Sequence, residues 1–421
     1  MKKIYYFDHA ATTPVDKEVL AEMMPYFSEK FGNPGGIYNL GMEAKAAIDK
    51  SRQQVAEFLR ASSSDEIIFT PGGTASVNLA LKGLMNALKE KTGVAGHIIT
   101  SAVEHHAVLD TTERLVKQGF TATVVPVDKD GLVSLQDIEK SVRAETVLIS
   151  VMTANNEIGT LQPIEEIGKW LEDLNDQRSK EDLGKIYFHT DACQAAGALD
   201  LNVQNLKVDM LTINGSKIYG PKGIGALFAK IETPLWPLLD GGGQEKNLVS
   251  GTENVPAIIG LAKAVQLAKQ NREQENARLS KLRDYLFNEI QKNIPKVRLN
   301  GHAKKRLPNN VNVSILDVEG EAVLLHLNQL SIAAATGSAC TSDSLEPSYV
   351  IRALGLPYEA AHGSMRFTLG KLTDRTEVDY LLKHLPGIIT QLRKISPVNV
   401  SLESVEEAMQ KAKREVRELG S

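Results

Sequence analysis

Between Glu66 and Lys230 short apolar runs alternate with longer amphipathic ones, and no other feature of the 421-residue chain constrains its fold as strongly. Glu66–Phe69, His97–Thr100, Ala122–Pro126, Thr146–Met152, Lys185–His189, Asp209–Ile213 and Gly225–Ala229 read as strands. Thr74–Lys89, a stretch ending at Gln118, and Pro163–Leu174 carry helical spacing between them, while Asn175–Lys180 reads as a polar surface loop. Strands alternating with helices build an α/β domain around a mostly parallel sheet. Ligands of such sheets sit beyond the carboxyl ends of the strands, so residues just past each strand are the first candidates for chemistry.

After Pro256 the pattern changes. A long charged helix is expected over Ala257–Lys292, then short strands at Val297–Leu299, Asn310–Ile315 and Ser364–Leu369, which together read as a smaller α+β domain. Near the end, Leu402, Val405, Met409, Ala412, Val416 and Leu419 recur at helical spacing and form an apolar stripe on a charged helix. Such a stripe packs on its own domain or serves a partner.

Composition narrows the class. Two cysteines exclude a disulfide framework and any zinc site built on three or four thiolates, and no metal site is expected. Forty-eight basic residues against 52 acidic ones leave a net charge of −4, with no footprint for nucleic acid or an anionic membrane. No uncharged apolar run attains the roughly 18–20 residues of a spanning helix. Asp8 stands where a signal peptide would continue its apolar segment. A cytoplasmic enzyme is the expected class.

Four segments could carry its chemistry. Thr70-Pro71-Gly72-Gly73-Thr74 joins a strand to a helix, and its backbone N–H groups with the Thr74 hydroxyl could cradle a phosphate; a tight turn with Thr74 as a helix cap is the plainer alternative. Asp191, at a strand end in His189-Thr190-Asp191-Ala192-Cys193-Gln194, is either a cap or a carboxylate holding a proton on a heteroaromatic ring. Lys217, just past the next strand, has the position of a Schiff-base amine, although an isolated lysine is usually a solvated surface residue. Phosphate cradle, strand-end acid and strand-end lysine in this order are what pyridoxal phosphate requires. Finally, Cys340 lies among the small and hydroxyl residues of Ala335–Ser344, which suits an exposed loop and an accessible thiol; a surface cysteine without a role remains open there. Cys193 reads as packing.

Over Tyr6–Pro397 the sequence resembles the cysteine desulfurases of the NifS/IscS type, which belong to the class-V branch of fold-type I pyridoxal-phosphate enzymes. The resemblance rests on Asp8-His9-Ala10-Ala11-Thr12-Thr13-Pro14, Phe31-Gly32-Asn33-Pro34, Glu104-His105, Asn155-Asn156-Glu157-Ile158-Gly159, Lys217–Gly223 and Ser250-Gly251-Thr252. Gly337–Ser342 with Leu345–Tyr349 is its most specific stretch. It implies a large cofactor domain over 16–256 with a seven-stranded type of sheet, and a small domain of 1–15 and 257–397 carrying the cysteine loop. Residues 398–421 would be a C-terminal amphipathic helix.

The resemblance also implies roles. Lys217 would hold the cofactor covalently, Asp191 would keep the ring nitrogen protonated, and His105 would stack on the ring and move protons. Asn156 and Gln194 would contact cofactor or substrate near the ring oxygen. Gly73, Thr74, Asn214 and Ser216 would serve the phosphate, joined by Thr252 from the second subunit of a homodimer. Arg366 would clamp the carboxylate of L-cysteine, with Asn33 and Asn156 beside it, and Cys340 would take the sulfur and pass it to an acceptor protein for iron–sulfur or other thio-cofactor synthesis. The chain departs from the family at Asn214-Gly215-Ser216-Lys217, where Ser-Gly-His-Lys is usual, and at Val249, where arginine is common. Alternatives are a selenocysteine lyase or aminotransferase on the same scaffold, and a non-enzymatic iron–sulfur platform with a decayed pocket.

Overall fold

The computed structural model describes residues 3–337 and 346–419, the side chains of 412–419 excepted. Cys340, the expected sulfur carrier, lies outside the described residues. Twelve strands are described: β1 (Tyr5–Tyr6), β2 (Ile67–Thr70), β3 (His97–Ser101), β4 (Thr121–Val125), β5 (Thr146–Ser150), β6 (Tyr187–Asp191), β7 (Met210–Asn214), β8 (Gly225–Ala229), β9 (Val297–Leu299), β10 (Asn310–Ile315), β11 (Ile332–Ala333) and β12 (Ser364–Thr368).

Seven of them form the central sheet, in the order β2-β8-β7-β6-β5-β3-β4. All neighbours run parallel except β8, which is antiparallel to both β2 and β7. The remaining six therefore point the same way, and their carboxyl ends share one edge. The strands are rich in Ile, Val, Leu and Phe because helices cover both faces; β2, β3 and β8 are buried at every residue. Among the strands of this sheet only β4, at its edge, has exposed residues, Thr121 and Val124.

The expected strands are present to within a few residues. The loop expected at Asn175–Lys180 is not: these residues complete the helix Ile164–Lys180. Their polarity serves the turn into β6. Asn175 exchanges two 2.9 Å hydrogen bonds with the Ile186 backbone. Arg178 is buried and donates to the Gly184 and Ala144 carbonyls at 2.8 and 2.9 Å. With no glycine or proline before Gly184, nothing in the segment breaks the helix.

A helix over Val255–Asn293 connects two apolar cores. Its first turns, Val255 to Val265, pack into the core under the large sheet. Leu279, Leu286 and Ile290 join a separate core with Phe7 and Phe367 beneath the three-stranded sheet β12-β10-β9. β1, too short to signal itself in the sequence, pairs in parallel with β11. The C-terminal helix Leu402–Leu419 lays Val405 and Met409 against Val103, Ile158, Val350 and Ile351, so this part of the stripe packs on its own chain. Among the described residues no helix is long and apolar enough to cross a membrane.

Candidate active site

Most of the candidate residues gather along the shared strand edge, after β2, β3, β5, β6 and β7. β2 ends at Thr70, and Pro71-Gly72 turn the chain into the helix that starts at Gly73. Gly72 has φ +138°, a conformation that requires glycine. At Gly73 a Cβ would lie 2.8 Å from Cys193 Sγ and 3.3 Å from Asn214 Cβ, so only glycine lets the loop approach β7 so closely. The resulting cleft, ≈ 660 Å³, is lined by Gly73, Thr74, Asn78, Asn214 and Ser216 among others. Free backbone N–H groups at a helix start and four hydroxyl or amide side chains make it a donor-rich anion cradle.

Asp191 ends β6, is buried, and accepts from the Cys193 backbone N–H at 2.9 Å. Burial, reinforced by the Asp191 carboxylate, pushes the Cys193 thiol well up, which keeps it a protonated, inert neighbour. Behind Asp191, His189 sits between Ser150 Oγ (2.9 Å) and Thr212 Oγ1 (3.0 Å), and burial lowers its pKa to about 4. It is a neutral link between three strands.

β7 ends at Asn214, whose Oδ1 caps the single turn Gly215–Lys217 through the Ser216 N–H at 3.3 Å. The departure from the family's serine at this position thus retains a cap. Beyond the lysine, Tyr219 adopts φ +63°, rare for a side chain of its size, and turns the chain back toward Thr13. Lys217 Nζ donates to the carbonyls of Ala10 at 2.9 Å and Ala11 at 2.5 Å. Gln194 Nε2 reaches the same Ala10 carbonyl at 2.9 Å. These two carbonyls carry no side-chain signal, and the sequence reading missed them.

His105 caps the helix His106–Lys117, its Nδ1 accepting from the Ala107 N–H at 3.0 Å. In the neutral ring the proton then resides on Nε2. Burial lowers its pKa below 6.5; Asp191 opposes that shift and Lys217 adds to it, which shows that the three groups sense one another. Glu104 beside it is fully buried, and desolvation pushes its carboxyl up to about 8 despite bonds from Ser101 Oγ (2.6 Å) and Met152 N–H (2.8 Å).

Asn156, past β5, is buried, and its Oδ1 has no partner among the described residues. Its carbonyl accepts from Arg366 Nη1 at 3.1 Å. Arg366, in β12, is 2% exposed; Nη2 pairs with Asp8 at 2.7 Å, and Nε has no partner among the described residues. Unsatisfied buried atoms of this kind mark a place prepared for a missing partner. Asp8 was a motif position without an assigned role. Asn33 and Thr252 stand apart: both are exposed, and the Asn33 Oδ1 accepts from Gly35 in its own turn.

The donor set fits a phosphate monoester on an electron-poor aromatic ring. It offers an anion cradle, a carboxylate at a strand end, an amine, an imidazole, and an amide oxygen awaiting a donor. Independent comparisons agree. The aminotransferase class-V family matches residues 5–381. Cysteine desulfurase IscS of Dictyoglomus turgidum is 49% identical over 397 residues, 94% of this chain and 97% of that protein. Its namesake in Methanosarcina thermophila is 49% identical over 396 residues, 94% of each. Among solved structures, a NifS-like protein superposes with TM-score 0.85 at 35% identity, covering 92% of this chain and all (100%) of that one. SspA in complex with cysteine gives TM-score 0.73 at 36% identity, covering 86% and 98%.

Proposed function

This chain belongs to the aminotransferase class-V family and is a pyridoxal-phosphate-dependent cysteine desulfurase; from that premise we propose how its residues divide the reaction. What supports this division is that Asp191 and Lys217 both act on the buried His105, and that Gly73 of the cradle packs against Cys193 and Asn214, near neighbours of Asp191 and Lys217 in the chain.

Bound there, pyridoxal phosphate supplies an electron sink for the pair released at the substrate's α-carbon. Gly73, Thr74, Asn214 and Ser216 hold its phosphate, and Thr252 of a second subunit completes that cradle in a homodimer. The exposed apolar residues Leu20, Met24, Phe27 and Phe31 supply a surface for that pairing. Asp191 keeps the ring nitrogen protonated. Gln194 and Asn156 donate toward the ring oxygen through their amides. Lys217 would hold the cofactor through its amine and, together with His105, would move the α-proton of the substrate. His105 is suited to this because its lowered pKa leaves it neutral at ordinary pH.

Arg366 offers its planar fork to the carboxylate of L-cysteine, with Asn156 and Asn33 beside it. The Cys340 thiolate attacks the substrate sulfur: an S–S bond forms, the C–S bond breaks, and its electron pair remains on the β-carbon, which takes up a proton as alanine leaves. Cys340 then carries a persulfide for an acceptor protein of iron–sulfur or other thio-cofactor synthesis. The two-cysteine composition supports a cytoplasmic setting, where disulfides have little use. The proposed division into 16–256, 1–15 with 257–397, and 398–421 is supported by the presence of two separate apolar cores, with the helix Val255–Asn293 contributing to both. The test is product balance: L-cysteine with a thiol reductant should give equal amounts of alanine and sulfide. Keto-acid consumption without sulfide would mark an aminotransferase instead.

A further inference from the structure

The two stretches of chain that flank residues 338–345 meet at one buried carboxyl group, that of Glu157. On the near side, Ala335 exchanges backbone hydrogen bonds with Arg366, and the Thr336 carbonyl accepts from Ser364 Oγ at 3.0 Å. Gly337 follows, and a Cβ on it would stand 3.1 Å from Glu157 Oε2 and 3.0 Å from Ser348 Cβ. On the far side, Ser348 Oγ donates to the same Glu157 Oε2 at 2.5 Å while capping the helix Tyr349–Ala353. Cys340 is three residues beyond Gly337 and eight before Ser348.

Glu157 is itself immobilised. Its N–H donates to Asn155 Oδ1 at 2.8 Å, and its carbonyl accepts from Asn310 and Asn312 at 3.0 and 3.1 Å. Asn312 is the cross-strand partner of Arg366, and Asn156, next in the chain to Glu157, accepts from Arg366. A carboxyl group that is fully buried, with Oε1 lacking a partner among the described residues, is costly for a fold to keep unless its placement serves something. Here the same rigid unit fixes Asn156, Arg366 and both ends of the segment that bears the cysteine.

We infer that Glu157 is a positioning residue for sulfur transfer. Through Ser348 and the close approach of Gly337 it sets the origin from which Cys340 reaches the substrate sulfur. In this role it acts through the two ends of the cysteine segment, Gly337 and Ser348. The inference rests on the role proposed above for Cys340.

The test uses the holoenzyme and three variants. Ser348→Ala removes the hydroxyl on the distal side and leaves the buried Glu157 side chain in place, so it should fold. It should lower kcat for alanine formation by about tenfold, the scale of a small misplacement of reacting groups. KM for L-cysteine and the cofactor absorbance band should not change. Ser348→Thr keeps the hydroxyl and should restore kcat. Three results would each overturn the inference: wild-type kcat in Ser348→Ala, Ser348→Thr as impaired as Ser348→Ala, or KM and cofactor content falling together with kcat. Cys340→Ser is the control. If it still releases sulfide, the underlying reading of Cys340 fails whatever Ser348 does; if it is silent while Ser348→Ala is fully active, only the inference about Glu157 fails.

Discussion

The proposed ring side of the pocket and its proposed substrate side are built in opposite ways. Around Asp191 and Lys217 each anchor follows the end of a strand in one sheet, and each has its hydrogen bonds made: Asp191 to Cys193, Asn214 to Ser216, Lys217 to two carbonyls. Around Arg366 the guanidinium borrows Asp8 and a backbone carbonyl, and Nε and Asn156 Oδ1 are buried without partners among the described residues. A resident cofactor calls for the first kind of site, preorganised and fixed. A substrate that enters as cysteine and leaves as alanine calls for the second, where contacts are exchanged in each turnover. The segment Asp8–Thr13 spans both. Its carbonyls hold Lys217, its Thr13 hydroxyl bonds Ser216 and Tyr219, and its Asp8 holds Arg366.

The largest effect is expected on the ring side. Lys217→Ala should lower turnover on the order of 10³-fold or more, as loss of both covalent anchor and proton carrier requires, and should abolish the yellow band of the covalently held cofactor. A band that survives would place the covalent anchor elsewhere and dissolve the contrast. On the substrate side Arg366→Lys keeps the charge and loses the fork. We expect KM for L-cysteine to rise about tenfold with the cofactor band intact. Loss of cofactor in this variant would mean the two sides are one unit.

Glu104 allows a test that does not depend on turnover. Its carboxyl titrates at about 8 in the fold against 4.5 when exposed, so between these values the folded state binds the extra proton. Its contribution to stability is therefore full below about pH 4.5 and is lost as pH rises through about 8. Glu104→Gln stays neutral throughout. Relative to wild type it should gain roughly 1.4 kcal/mol per pH unit across that window, measured by urea unfolding at pH 6 and pH 8. A pH-independent difference would show that Glu104 is ionised in the fold. The smallest effect belongs far from both sides: Val405→Ala should cost about 1–3 kcal/mol of stability and leave kcat and KM unchanged. A fall in kcat would tie the C-terminal helix to the cysteine segment through Val350 and Ile351.

Much of the ring side was legible in the sequence because buried parallel strands are continuous runs of branched apolar residues, and the functional residues follow directly after them. Asp191 and Lys217 could be placed at strand ends by pattern alone. The substrate side was less legible for physical reasons. β1 and β11 are two residues each and carry no periodicity. The carbonyls of Ala10 and Ala11 are backbone atoms without a residue signature. Glu157 was visible only as a motif letter, since its burial arises from distant partners at Asn310, Asn312 and Ser348. Asn175–Lys180 misled because polar composition was read as exposure, whereas Arg178 spends its polarity on carbonyls inside the fold.

The central claim is that sulfur leaves the substrate by way of Cys340. The most direct measurement is sulfide and alanine yield from L-cysteine with the Cys340→Ser holoenzyme, in the presence of a thiol reductant. The account predicts an intact cofactor band, one that still responds to added L-cysteine, and no sulfide above the level of free cofactor. Undiminished sulfide with an equal yield of alanine would contradict it.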